Sequence, residues 1–115
     1  MRADLEKRLN NKFWWYMKSD AYCECGDGWY QLIDDMLTEI QELCIMEWLK
    51  APQIGQIKEK YGSLRVYMHN YCEDIEEVIA RYERKSSSVC ELCGKIGTNI
   101  NYNGWQITRC EECCK

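Results

Sequence analysis

Two cysteine pairs near the C-terminus constrain this chain more than any other feature. Cys90 and Cys93 form one C-x2-C knuckle and Cys110 and Cys113 another, with sixteen residues between Cys93 and Cys110. That spacing is the one expected of a structural zinc site. Four thiolates from two tight turns close a tetrahedron around Zn²⁺ at about 2.3 Å per bond, with no position left for a substrate water. The expectation is therefore a structural Zn²⁺ on Cys90, Cys93, Cys110 and Cys113. Between the knuckles, Asn103-Gly104 is a two-residue hairpin signal. It pairs Tyr102 with Trp105 and Ile100 with Ile107, stacks four apolar side chains on one face, and brings the knuckles together. Cys114 is an adjacent thiol that could replace Cys113. Glu91, Glu111 and Glu112 add negative charge beside the site, which argues against a phosphate ligand there.

At 115 residues the chain has the length of about one domain. It can bury a real but small core, so a metal staple would matter. The net charge of −4 disfavours sequence-independent nucleic-acid binding, which needs a basic surface. No apolar stretch follows the charged first residues, and no run reaches the roughly 20 apolar residues of a membrane span. A cytoplasmic setting is expected, where the nine cysteines stay reduced.

Periodicity predicts an α+β fold in which a long central helix packs on a β-hairpin. Two further helices and a C-terminal four-cysteine zinc ribbon complete it. Residues 1–88 are expected to form the body and 89–115 the ribbon packed upon it, with Ser86-Ser87-Ser88 as a short hinge. The first helix spans 3–18, with Leu5, Leu9, Phe13 and Met17 as its apolar stripe. Trp14, Trp15 and Tyr16 follow one another and cannot all face one core. Residues 20–28 read as a loop, with Asp27 as the N-cap of a helix over 28–49. That helix buries Trp29, Leu32, Ile33, Met36, Leu37, Ile40, Leu43 and Cys44, and carries Asp34, Asp35, Glu39 and Glu42 outside. Residues 54–69 switch to a period of two and predict a hairpin turning at Tyr61-Gly62. Its register sets Gln56 opposite Tyr67, Ile57 opposite Val66, Lys58 opposite Arg65, and Gly55 opposite Met68. A helix over 73–85 has an acidic first turn and a basic last turn, which suits the helix dipole.

The polar face of that hairpin is the candidate ligand site. Lys58 and Arg65 fall directly opposite each other, a placement that destabilises a sheet unless something anionic lies between them. Lys60 adds a third cation, Tyr61 and Tyr67 lie alongside, and Trp15 or Trp29 could complete a stacking platform. Cations that grip phosphate beside aromatics that stack a base make a nucleotide-type pocket. The competing reading is a solvated face neutralised by Glu39 or Glu42. Cys23 and Cys25 could join Cys72 and His69 in a second metal site, or be ordinary thiols. The chain carries no phosphate loop, nucleophile elbow or HExxH segment, and a non-enzymatic role is expected.

Three runs then show a resemblance. They are Gly26-Asp27-Gly28-Trp29-Tyr30-Gln31-Leu32-Ile33-Asp34-Asp35, Gln56-Ile57-Lys58-Glu59-Lys60-Tyr61-Gly62-Ser63-Leu64-Arg65-Val66-Tyr67 and Cys90-Glu91-Leu92-Cys93-Gly94. Together they resemble a group of small phage and prophage proteins with a GDGW-x-x-LID segment, a QVKEKFGTLRFY-like segment and a C-terminal CE-x-CG ribbon. The likeness covers about residues 25–113, and its middle segment is the specific one. It departs at the second knuckle, where many members end in Cys and His. The resemblance implies phage origin more firmly than activity. Small phage accessory proteins often counter host defence, some by sequestering nucleotide-derived immune signals without cleaving them. The expectation is such a sponge, assembled as a homo-oligomer, with Lys58, Lys60 and Arg65 on the phosphates. The alternatives are an adaptor that inhibits a host protein through the acidic face of the central helix, and a nucleic-acid-binding zinc protein.

Overall fold

The N-terminal stripe of Leu5, Leu9 and Phe13 is buried, but it does not continue to Met17, which is 48% exposed. In the computed structural model, which describes residues 1–70 and 72–114, the expected single helix is two: α1 (Ala3–Lys12) and α2 (Trp14–Lys18). Phe13 between them is extended (φ −122°, ψ 90°), with its N–H still bonded to the Leu9 carbonyl. The break resolves the consecutive aromatics. Phe13 and Tyr16 are fully buried, Trp15 is half-buried, and Trp14 is turned out.

The segment read as a loop contains a short strand, β1 (Cys23–Glu24), and Asp27 does not cap with its side chain. A 3₁₀ turn over Asp27–Trp29 leads into α3 (Tyr30–Met46), so the long helix stops three residues earlier than expected. Its inner face is the expected one. Of the outer acids, Asp34 is instead buried and accepts from Lys12 Nζ at 2.7 Å. A carboxylate can stay there because its charge is paired. Glu39 accepts from Arg81 and, at 3.2 Å, from the Tyr82 hydroxyl.

At its C-terminus α3 closes with the Leu49 N–H on the Cys44 carbonyl at 2.9 Å. Trp48 lies in the left-handed region with φ 56°. This is a Schellman closure, whose left-handed residue is usually glycine. A tryptophan there costs about 1–2 kcal/mol of backbone strain.

Strands β2 (Ile54–Lys60) and β3 (Ser63–Met68) form the hairpin, with the expected pairs from Gln56–Tyr67 through Lys60–Ser63. One pair differs: Met68 faces Ile54, and Gly55 is the extra residue of a bulge. Without it, Ile54 and Ile57, three apart, would point to opposite faces of the sheet. With it, both are fully buried. β1 adds to the other side of β2 in parallel, giving a sheet of order β1-β2-β3.

Helix α4 (Glu73–Ser86) buries Ile75, Val78, Ile79 and Tyr82 as expected and packs along β3. The Val66 N–H donates to Glu83 Oε2 at 3.0 Å and the Leu64 N–H to Ser86 Oγ at 2.8 Å. Ser86 is fully buried, so the expected hinge begins as a fixed contact between helix and strand.

The C-terminal ribbon consists of β4 (Thr98–Tyr102) and β5 (Trp105–Arg109), in the expected register, and a 3₁₀ turn over Glu112–Cys114. Lys115, the last residue expected in it, lies outside the described residues. Asn103 and Gly104, at φ 51° and 87°, form the turn.

Hydrogen bonds join ribbon and body on two sides. The Gly28 N–H donates to the Glu91 carbonyl at 2.7 Å, and the Gly26 N–H to Glu91 Oε2 at 2.9 Å. Trp29 Nε1 donates to the Val89 carbonyl at 2.8 Å. On the far side, the Tyr61 carbonyl accepts from Asn99 Nδ2 at 3.2 Å and the Gly62 carbonyl from Thr108 Oγ1. A methyl group on Gly28 would overlap the Cys90 carbonyl and lie 2.6 Å from the Glu91 carbonyl. Both neighbours are backbone held by the knuckle and cannot swing away. Gly28→Ala should therefore destabilise the fold by about 3 kcal/mol or more, read as a lowered midpoint in chemical denaturation. A midpoint unchanged from the parent would show that this joint does not limit stability.

Candidate functional site

The two knuckles converge. One sulfur from each of Cys90, Cys93, Cys110 and Cys113 lies within 4.8 Å of the others, and Cys93 Sγ is 3.5 Å from Cys110 Sγ. A tetrahedron with bonds of about 2.3 Å has sulfur–sulfur edges of roughly 3.8 Å, so the cluster has the size of a four-thiolate metal site. Cys113 supplies the fourth sulfur and Cys114 is exposed, and both line a neighbouring groove. The first knuckle is held by the Gly94 N–H on the Cys90 carbonyl and the Cys90 N–H on the Lys95 carbonyl. The second places the Cys113 N–H 3.4 Å from Cys110 Sγ.

These bonds set the proton affinities of the metal-free cluster. Burial works to raise Cys90, but backbone N–H groups of Cys110, Cys93 and Leu92 outweigh it and draw the thiol down to about 6. Cys110 is lowered by the Cys113 N–H. Cys113 is pushed up to about 12 by hydrogen bonds with the Cys110 and Cys90 sulfurs. At Cys93 the Lys95 N–H favours the thiolate, yet burial and the Cys110 and Cys90 sulfurs raise it on balance.

The expected ligand-binding residues do not come together as one pocket. Trp29 is fully buried in the joint and has no face for a base. Trp15 donates to Gln41 Oε1 at 3.0 Å and lines a groove with Lys50 and Pro52. Lys58 does face Arg65, but on its other side it faces Glu24 of β1. Hydrogen bonds from Gln56 and Tyr22 hold the Glu24 carboxyl below the usual carboxylate range, and the Lys58 charge adds to them. The row therefore reads carboxylate, ammonium, guanidinium, and the counter-charge comes from β1 instead of from Glu39 or Glu42. Lys60, Tyr61, Arg65 and Tyr67 remain exposed, with Lys60 Nζ 5.6 Å from the Tyr61 ring centre.

Of the two readings of Cys23 and Cys25, the structure supports ordinary thiols, since they do not cluster with Cys72 and His69. Cys23 and Cys25 are buried with Tyr16, whose hydroxyl lies 3.4 Å from Cys23 Sγ. A hydrogen bond with Cys25, together with burial, pushes the Cys23 thiol well up, so it persists as a neutral core group. His69 packs instead beside Gly55 at the sheet end. Among the described residues, only the C-terminal four form a metal-sized cluster.

The ribbon hairpin aligns Tyr102, Trp105, Ile100 and Ile107 on one face as expected, and the aromatic end of that face is bare. Leu92, Tyr102 and Trp105 are 51%, 53% and 75% exposed. With Ile107, Arg109 and Cys114 they line a groove of about 370 Å³. The alignment of these side chains on one face is legible from the hairpin register, whereas their exposure is not.

Comparison with protein-family models, with curated proteins and with solved structures finds no match. Among the described residues no helix is long and apolar enough to cross a membrane.

A metal ion must displace whatever protons the four sulfurs hold. At about pH 8 Cys90 is already ionised, whereas Cys93 and Cys113 are protonated. Divalent metal added to the metal-free protein at that pH should release at least two protons but fewer than four. Affinity therefore falls as the pH is lowered from 8, and more steeply below about pH 6, where Cys90 must also lose a proton. A pH indicator in weakly buffered solution reads the count, and release of none would mean the thiols do not bind the ion.

Proposed function

We propose that this chain is a small non-catalytic binding protein of phage type. In this reading a structural Zn²⁺ on Cys90, Cys93, Cys110 and Cys113 fixes the ribbon, whose outer face docks on a protein of the host cell. The observation that carries the reading is the bare aromatic and aliphatic face of Leu92, Tyr102 and Trp105 beside the four-sulfur cluster. Tyr and Trp dominate the energetic centres of protein interfaces, and exposing them in one patch has a solvation cost that a partner would relieve. Zinc is the metal of choice because four thiolates in a closed tetrahedral set favour Zn²⁺ over hard cations. The resemblance of the three sequence runs to phage proteins supports a host protein as partner, and reduced thiols fit the host cytoplasm.

The adaptor surface in this reading is the ribbon face and not the acidic helix. Asp34 is buried against Lys12 and Glu39 is engaged by Arg81, which leaves Asp35 and Glu42 as the exposed acids of that group. The same geometry favours the adaptor over the nucleotide sponge. In the sponge reading Trp29 has no face for a base, Trp15 is tied to Gln41, and a carboxylate lies beside Lys58.

Capture from host lysate on immobilised protein tests the reading. A stoichiometric host protein is expected, retained at least about tenfold less by Trp105→Ala and by Tyr102→Ala. Both variants should keep one zinc per chain by elemental analysis. Capture unaffected by either change would sink the ribbon-face reading. Calorimetric heat with a cyclic nucleotide, lost in Lys58→Ala and Arg65→Ala, would restore the sponge.

A further inference from the structure

A second apolar surface lies at the C-terminal end of α3, and it pairs a projection with a hollow. Trp48 is 95% exposed and is held out by its left-handed backbone. Beside it, a groove of about 340 Å³ is lined by Trp14, Trp15, Lys18, Lys50, Ala51 and Pro52. Trp48 is only two residues from Lys50, yet at that exposure it does not occupy the groove itself. Trp14 and Ile45 extend the same end at 64% and 70% exposure. Ile45 stands one helical turn beyond Gln41, the partner of Trp15.

We propose that this surface is a two-fold interface between copies of this chain, with Trp48 of each copy seated in the other's groove. Three observations select a second copy as the occupant. First, a two-fold contact requires a projection and its hollow side by side on one face, because whatever residue i meets must meet i in return. Second, residues 14–20 and 45–53 carry Lys18, Asp20, Glu47 and Lys50, two charges of each sign, so an identical face meets no net repulsion. Lys18 and Lys50 border the groove, where an entering indole can take a cation over its ring. Lys18 already lies 4.5 Å from the Trp14 ring centre. Third, at roughly 200 Å² per large side chain, Trp14, Ile45 and Trp48, exposed by 64%, 70% and 95%, leave on the order of 450 Å² of apolar surface bare. That is most of the roughly 800 Å² that one partner contributes to a standard interface.

The strained backbone also supplies a clean test. Glycine suits a left-handed helix end better than tryptophan does, so Trp48→Gly removes the projection without harming the fold. Sedimentation velocity across micromolar to millimolar concentration should show the parent chain passing from monomer to dimer. Trp48→Gly should weaken that association about thirtyfold or more, with helix content and metal content unchanged. Ala51→Trp, which fills the hollow, should weaken it equally. A parent chain that stays monomeric throughout overturns the proposal. So does a dimer that survives both substitutions. Binding of a monomer to phosphatidylcholine–phosphatidylglycerol vesicles through Trp48 would assign the surface to a membrane and overturns it as well. None of these outcomes depends on the ribbon face, which stays intact in both variants.

Discussion

The hydrogen bond from the Gly28 N–H to the Glu91 carbonyl organises much of this molecule. It ties the entrance of the central helix to the backbone between the first two cysteines. Trp29, next in sequence, reaches the Val89 carbonyl with its indole, so the largest core side chain is shared between the body and the metal knuckle. Folding of the two parts is thereby coupled. A knuckle that opens exposes the indole, and a helix that frays frees the backbone on which two sulfurs depend. The motif glycines serve this close approach, and the tryptophan among them serves cohesion more than recognition.

The charge row on the sheet has a similar logic. Two cations facing each other across a hairpin would be unfavourable alone. Adding a third strand, only two residues long, brings Glu24 beside Lys58 and offsets part of that repulsion. The same strand carries Cys23 into the core on its other side. Two adjacent residues thus complete both faces of the sheet, and one carboxylate stands against the three cations of the hairpin, of which Lys60 and Arg65 are exposed.

Features set by neighbouring residues are legible in the amino-acid sequence. The hairpin register follows from alternation and two turns, the inner faces of α3 and α4 from their period, and the four-sulfur cluster from its spacing. Features decided by distant contacts are not legible in that way. The break at Phe13 reflects where Tyr16 must reach, and the buried Asp34 depends on Lys12, twenty-two positions away. The bulge at Gly55 needs the knowledge that Ile54 and Ile57 share one face. Trp29 marks the limit most plainly. Its helical position labels it apolar and inward, but the carbonyl that engages its nitrogen lies sixty residues on. The outward ribbon aromatics are visible as a face, whereas their exposure depends on what the rest of the chain leaves uncovered.

The two hydrogen bonds that α4 accepts from β3 have a consequence for assembly. Strands β1 and β3 bound the body sheet, and an unpaired strand edge invites another chain to add to it. Along β3 the outward N–H groups of Leu64 and Val66 are already taken by Ser86 and Glu83. The opposite edge is a strand of two residues, too short to template a stable addition. Backbone pairing is therefore a poor route to association for this sheet, and side-chain surfaces are left to carry recognition. A chain dense in aromatics gains protection against runaway strand stacking from one serine and one glutamate.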